Sequence, residues 1–173
     1  MRERVLKMVP QQPPFRFIDE ILELDDQHCV GTYRFREDEY FYRGHFPGLP
    51  ITPGVILIET MAQTGVVAFG LYLSVIAGKA REMAEENVTL FTLADNVEFT
   101  GVVGPGESVV VTGRKVYFRG NQIKVDVSMT RPDGEPVCSG TLSGKGVPRA
   151  GFEKKREQQP VNGTENRMED ASE

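Results

Sequence analysis

The sequence is poor in the residues that hold metals, form disulfide frameworks or grip nucleic acid. It has two cysteines, Cys29 and Cys138, and two histidines, His28 and His45. Two cysteines are too few for a disulfide framework; one bond between them is an alternative, and buried free thiols in a reducing compartment are the expectation. No His or Cys pair stands at a metal-ligand spacing, and neither a metal nor another cofactor is expected. Up to Ala150 there are 16 Lys and Arg against 19 Asp and Glu, with no basic run. That balance argues against nucleic-acid binding. The start, MRERVLKMVPQQPP, lacks the apolar core of a secretory signal, and a cytoplasmic protein is expected.

What is present suffices for one domain with a sizeable core, since the 173 residues are 39% apolar. The chain is organised around Gly44 to Gln63, GHFPGLPITPGVILIETMAQ. Thr52 is a plausible N-cap and Pro53 suits the first position of a helix running from Gly54 to about Ala77, where Gly78 stops it. Val55 to Ala77 carries no Lys or Arg and is long enough to span a membrane. Three features favour a core helix instead. Glu59 and Gln63 share one face near one end, Gly65 and Gly70 interrupt the apolar run, and the rest of the chain offers a sheet to cover it.

Around this helix the pattern is mostly β. Arg2 to Met8 predicts a short helix, ended by Pro10, Pro13 and Pro14. Cys29 to Phe35 alternates as a strand does, and Glu37 to Tyr42 suggests a short helical turn. VTLFTLADNVEF from Val88 predicts one strand, or two broken near Asp95. SVVVTGRKVYF, QIKVDVSMT and PVCSGTLSGKG follow, separated by turns at Arg119-Gly120-Asn121 and Pro132-Asp133-Gly134. One long helix and several antiparallel strands imply an α+β domain with the helix on one face of a curved sheet. The expected domain spans 1–148, and 149–173 reads as a disordered polar tail. The polar AREMAEEN from Ala80 to Asn87 reads as an added helical turn or a cover over an opening.

Three features of the organising stretch could do chemistry. A carboxyl on a buried helix, Glu59, has its pKa raised by desolvation and can act as an acid, or can simply be satisfied by hydrogen bonds. Pro53 lacks an N–H, so the first free donors of the helix are Gly54 and Val55, a site for an anion or developing oxyanion. His45 lies in a loop stiffened by Pro47, Pro50 and Pro53, and rigid placement of a titratable group suits general base catalysis.

The stretch resembles the 3-hydroxyacyl-acyl-carrier-protein dehydratases of type II fatty acid synthesis, which have the hotdog fold. The motif is His45, Phe46-Pro47-Gly48, Pro50, Pro53-Gly54-Val55, Glu59 and Ala62-Gln63, without a gap. Pro13-Pro14-Phe15, Ile18-Asp19 and Val103-Gly104-Pro105-Gly106-Glu107 also resemble family positions, so the likeness covers about residues 5 to 146. It implies dehydration of (3R)-3-hydroxyacyl thioesters on acyl carrier protein to trans-2-enoyl thioesters. His45 and Glu59 would be catalytic, with the Gly54 and Val55 N–H groups at the thioester oxygen and Gln63 holding Glu59. Phe46, Pro53, Val66 and Gly70 would line the acyl tunnel. The family also implies a homodimer in which His45 of one chain meets Glu59 of the other, with a trimer of dimers as a larger assembly. A sister group that isomerises the double bond carries Asp and Cys where Glu59 and Val55 stand.

Several positions depart from the family pattern. Gln11 and Gln12 stand where His-Arg is frequent, Glu20 follows Asp19 where Arg is usual, and Thr52 replaces a methionine. These spare the chemical motif and bear on carrier docking and chain length. Arg16, Arg43 and Lys115 are candidates for the carrier surface. Two other activities fit a hotdog domain: an acyl thioesterase, which would need only the carboxylate and the helix start, and a non-catalytic acyl-binding protein.

Overall fold

A computed structural model of the chain describes residues 1–79 and 87–150. The reading of AREMAEEN as a helical turn or cover, apart from Asn87, lies outside the described residues, as does that of the tail beyond Ala150.

A short helix, α1 (Arg2–Met8), is followed by β1 (Glu20–Leu24) and β2 (His28–Arg34), a hairpin whose turn is closed by Asp25. A single 3-10 turn, Tyr40–Arg43, leads into the His45 loop. The long helix, α2, occupies Gly54–Ile76. The remaining strands are β3 (Asn87–Phe99), β4 (Ser108–Arg119), β5 (Gln122–Thr130) and β6 (Pro136–Pro148). All six strands form one antiparallel sheet in the order β1-β2-β4-β5-β6-β3. This is the α+β arrangement that the pattern of elements implied, and the hotdog fold that the family resemblance implied.

Alternation explains how the sheet takes the helix. Val109 and Val111 of β4, Ile123, Val125, Val127 and Met129 of β5, and Leu142 of β6 all turn inward and are buried. They meet Leu57, Met61, Val66, Phe69 and Leu73 of α2 in one core. The most apolar 18-residue window of α2 is 78% buried inside the protein, so its hydrophobicity is spent on its own sheet.

The approach is closest at a wide π turn, Gln63–Ala68, in the middle of α2. There Gly65 lies against Gly113 of β4, where an added Cβ on Gly113 would stand 2.8 Å from the Gly65 Cα. Thr64 sits over Gly31 of β2 and Val66 over Gly144 of β6 in the same way. Glycine on the sheet side is what lets the helix backbone come this near. At the far end, Gly78 takes φ +75° and ends the helix.

Two local readings of the sequence are corrected here. Thr52 does not cap α2: the cap position is Pro53, no side chain caps it, and the first helical residue is Gly54. The Thr52 hydroxyl is instead taken by Tyr42, 2.6 Å away. The stretch from Val88 is one strand, not two, and keeps its pairing with β6 across bulges at Phe91/Leu93 and Asp95/Glu98.

Candidate active site

His45 is placed by its own loop. Its backbone N–H bonds the Phe41 carbonyl at the end of the 3-10 turn, 3.0 Å, and its carbonyl accepts the Ile51 N–H, 3.1 Å. The ring returns the contact, with Nδ1 3.0 Å from the Ile51 carbonyl oxygen. A carbonyl can only accept, so Nδ1 carries the proton and the Nε2 lone pair is left free. Phe46 stacks on the ring with centroids 4.1 Å apart, and the peptide between the two residues is cis. The histidine is half-buried, while Phe46 is exposed.

The start of α2 is open as the missing Pro53 N–H implied. Ile56 and Leu57 donate to the Pro53 carbonyl, and among the described residues nothing takes the N–H of Gly54 or Val55. The Thr52 N–H is held by the Val103 carbonyl, 2.8 Å, which ties the helix start to the loop after β3. Gly54, having no side chain, admits a close neighbour. The neighbour is the ring tip of Phe99, at 3.0 Å from where a Cβ would be.

Glu59 stands one turn further on, half-buried, with Val55 four residues before it on the same face. Burial pushes its carboxyl above the usual carboxylate range, and the hydrogen bond from Gln63 partly offsets this. Gln63 is fully buried and every part of its amide is used. Nε2 donates to Glu59 Oε1 and to the Phe15 carbonyl, each at 2.8 Å, and Oε1 accepts the Phe17 N–H at 2.7 Å. The glutamine thus fixes the carboxyl to the segment that precedes β1.

The structure brings His45, Pro53, Gly54 and Val55 to one end of the helix, with Glu59 and Gln63 just along it. Val66 and Gly70 lie deeper, packed on Gly144 of β6 and Ile123 of β5. Of the guessed carrier-surface cations, Arg16 donates to the Leu6 carbonyl, and Lys115 lies 3.8 Å from Asp26. Among the described residues no group of His, Cys, Asp and Glu is arranged to hold a metal ion. Both thiols are buried, and burial raises Cys29 to about 12 and Cys138 to about 11. Sequence reasoning missed the Ile51 carbonyl, the Phe15 and Phe17 backbone groups, and Phe99. The first two are main-chain atoms without a sequence signature. Phe99 was legible only as an aromatic ending a strand.

A family model described as a FabA-like domain matches residues 9–141. The chain belongs to the FabA-like family. A relative from Caldicellulosiruptor bescii, named 3-hydroxyacyl-[acyl-carrier-protein] dehydratase FabZ, is 32% identical over 81% of this chain and 94% of its own length. Another of that name from Roseiflexus castenholzii is 36% identical over 81% of this chain and 92% of its own. Among solved structures, the dehydratase heterocomplex ApeI:P from Xenorhabdus doucetiae superposes with a TM-score of 0.70 at 14% identity, covering 88% of this chain and 96% of that one. A thioesterase from Haemophilus influenzae gives 0.52 at 13% identity, covering 75% and 78%. These two show the fold that the family shares with other hotdog proteins.

Proposed function

We propose that this protein is a hydro-lyase that dehydrates 3-hydroxyacyl thioesters on acyl carrier protein, with His45 as base and Glu59 as acid. The observation that carries the reading is the His45 ring, whose Nδ1 is committed to the Ile51 carbonyl so that Nε2 is left as an acceptor. A thioesterase would have no use for this arrangement. The named dehydratase relatives support the same reaction.

The steps follow from the parts. His45 Nε2 takes a proton from the carbon next to the thioester carbonyl. Negative charge moves to the carbonyl oxygen, where the Gly54 and Val55 N–H groups receive it at the positive end of α2. A preorganised donor of this kind is worth about 3 kcal/mol of barrier, roughly a hundredfold in rate. The bond from carbon 3 to its hydroxyl breaks, and Glu59 gives that oxygen a proton so that it leaves as water. The raised pKa of Glu59 keeps more of it protonated than an exposed carboxyl would be. Return of the proton from His45 to Glu59 closes the cycle.

The site is completed by a second copy of the chain. The outer side of β3 is unpaired among the described residues. Leu90, Phe91, Leu93 and Phe99 along it are exposed, as are Phe46, Leu49, Val55 and Val102 beside the helix start. An apolar edge strand next to the catalytic loop is an expected dimer surface. Across it His45 of one protomer would face Glu59 of the other, with the acyl chain in a tunnel lined by Phe46, Pro53, Val66 and Gly70. The work is cytoplasmic on this reading.

The test is product analysis on a 3-hydroxyacyl thioester series, carrier-bound and coenzyme-bound. An enoyl thioester and water are expected, whereas free acid with thiol would mean a thioesterase and no change a binding protein. His45→Ala and Glu59→Gln should each lower kcat by at least about a hundredfold with the dimer intact. Mixed, the two variants should recover activity through hybrid dimers; no recovery with chain exchange demonstrated would refute the shared site.

A further inference from the structure

The loop that carries His45 is closed by more than its backbone. Outside the His45–Ile51 pairing lies a second rung, the hydroxyls of Tyr42 and Thr52 at 2.6 Å. Both side chains are buried, 5% and 3% exposed, so their hydroxyls cannot turn to water instead. Among the described residues neither hydroxyl has another side-chain or backbone partner, which makes the pair a single link. Thr52 adjoins Ile51, whose carbonyl holds the ring of His45, and its own N–H is bonded to the Val103 carbonyl. Tyr42 lies in the 3-10 turn whose Phe41 carbonyl holds the backbone of His45. The rung therefore joins the two points from which His45 is suspended.

We propose that the Tyr42–Thr52 hydroxyl pair is a clasp that keeps the Ile51 carbonyl on His45 Nδ1 and so decides which ring nitrogen carries the proton. Without the clasp, residues 51 and 52 relax toward Val103, and the carbonyl leaves hydrogen-bond distance. The neutral ring then divides between its two tautomers. In the tautomer with the proton on Nε2, the atom meant to accept the substrate's proton is already occupied. Tyr42 and Thr52 are positioning residues: they act on the base and do not touch substrate. The inference rests on His45 being the base. It adds a role for Thr52, whose hydroxyl does not cap the helix.

The full-length protein provides a direct readout, because it has only two histidines. Nitrogen-15 NMR of the imidazole rings distinguishes the tautomers, and His28, held by Glu23 and Asp25 on the β1–β2 hairpin, serves as internal control. Wild type should show His45 with the proton on Nδ1. Thr52→Val and Tyr42→Phe should each shift His45 toward a tautomer mixture with His28 unmoved, and lower kcat about tenfold or more with KM little changed. Thr52→Ser, which keeps the hydroxyl, should behave as wild type. The double variant should be no worse than either single one, because one link is lost in all three. Variants that retain the Nδ1–H tautomer overturn the clasp whatever their rates, as does a Thr52→Ser no better than Thr52→Val. A tautomer shift in a protein that performs no dehydration upholds the clasp and removes only the catalytic reading.

Discussion

Gln63 grips Glu59 from one helical turn away and is itself held by chain 46 and 48 residues distant. Four residues on a helix bring the two side chains to one face, so that contact is local. The other two bonds, to Phe15 and Phe17, are tertiary. Together they make the glutamine a bracket between the acid and the segment before β1.

Loss of that bracket should be costly. Gln63→Leu fills the space but leaves the Phe17 N–H and Phe15 carbonyl without partners, next to a fully buried Phe17 ring. A buried unpaired N–H costs about 1–3 kcal/mol, whereas the carbonyl of the exposed Phe15 can turn to water. Urea unfolding should show a loss of at least about 1 kcal/mol, and turnover should fall because Glu59 is no longer aimed. Stability equal to wild type would show that these two backbone groups find other partners.

Glu59 should leave a mark on stability as a function of pH. Burial holds its folded-state pKa above the ordinary value of 4.5. Between the ordinary and the raised value the folded protein binds more protons than the unfolded chain, so stability falls as pH rises through that window. The contribution is fully present below it and gone above it. Glu59→Gln should abolish this fall and melt higher than wild type near neutral pH. Parallel pH–stability curves for the two proteins would contradict a raised carboxyl.

The helix-to-sheet contact at Gly113 should tolerate no side chain. A Cβ there would lie 2.8 Å from the Gly65 backbone, which cannot swing aside as a side chain can. Gly113→Ala should destabilise by about 1–3 kcal/mol and shift the wide turn that begins with Gln63. Gly120→Ala, at the open β4–β5 turn, is a useful contrast. Nothing stands within 4 Å of its Cβ, and only its φ of +52° opposes the change. A Gly113→Ala protein as stable as wild type would mean that the helix is free to lift from the sheet.

The parts legible in the sequence are those governed by neighbours along the chain. Pro53 and Gly78 bracket α2 because one lacks a donor and the other admits a positive φ. Alternation marked β2, and the turns at Arg119-Gly120-Asn121 and Pro132-Asp133-Gly134 set off β4 and β5. β3 was harder, since residues from Leu90 to Asn96 are exposed throughout and no alternation reports a buried face. Whether it was one strand or two depended on β6, which keeps pairing across both bulges. Thr52 misled for a related reason. Its hydroxyl suits a cap by local rule, yet a buried tyrosine ten residues earlier competes for it and wins.

For the site, the residue types and the family resemblance singled out His45, Gly54, Glu59 and Gln63 as candidates before any fold was known. Charge, proton and donor roles belong to side-chain chemistry, and a motif of fixed spacing records them. The orientation of those groups belongs to the tertiary structure. Which nitrogen of His45 is free depends on the Ile51 carbonyl. What raises Glu59 is the burial created when α2 packs on the sheet, and what holds it reaches back to Phe15 and Phe17. Main-chain carbonyls and N–H groups are the same at every position of a sequence. Only folding selects the few that aim a histidine or steady a carboxyl.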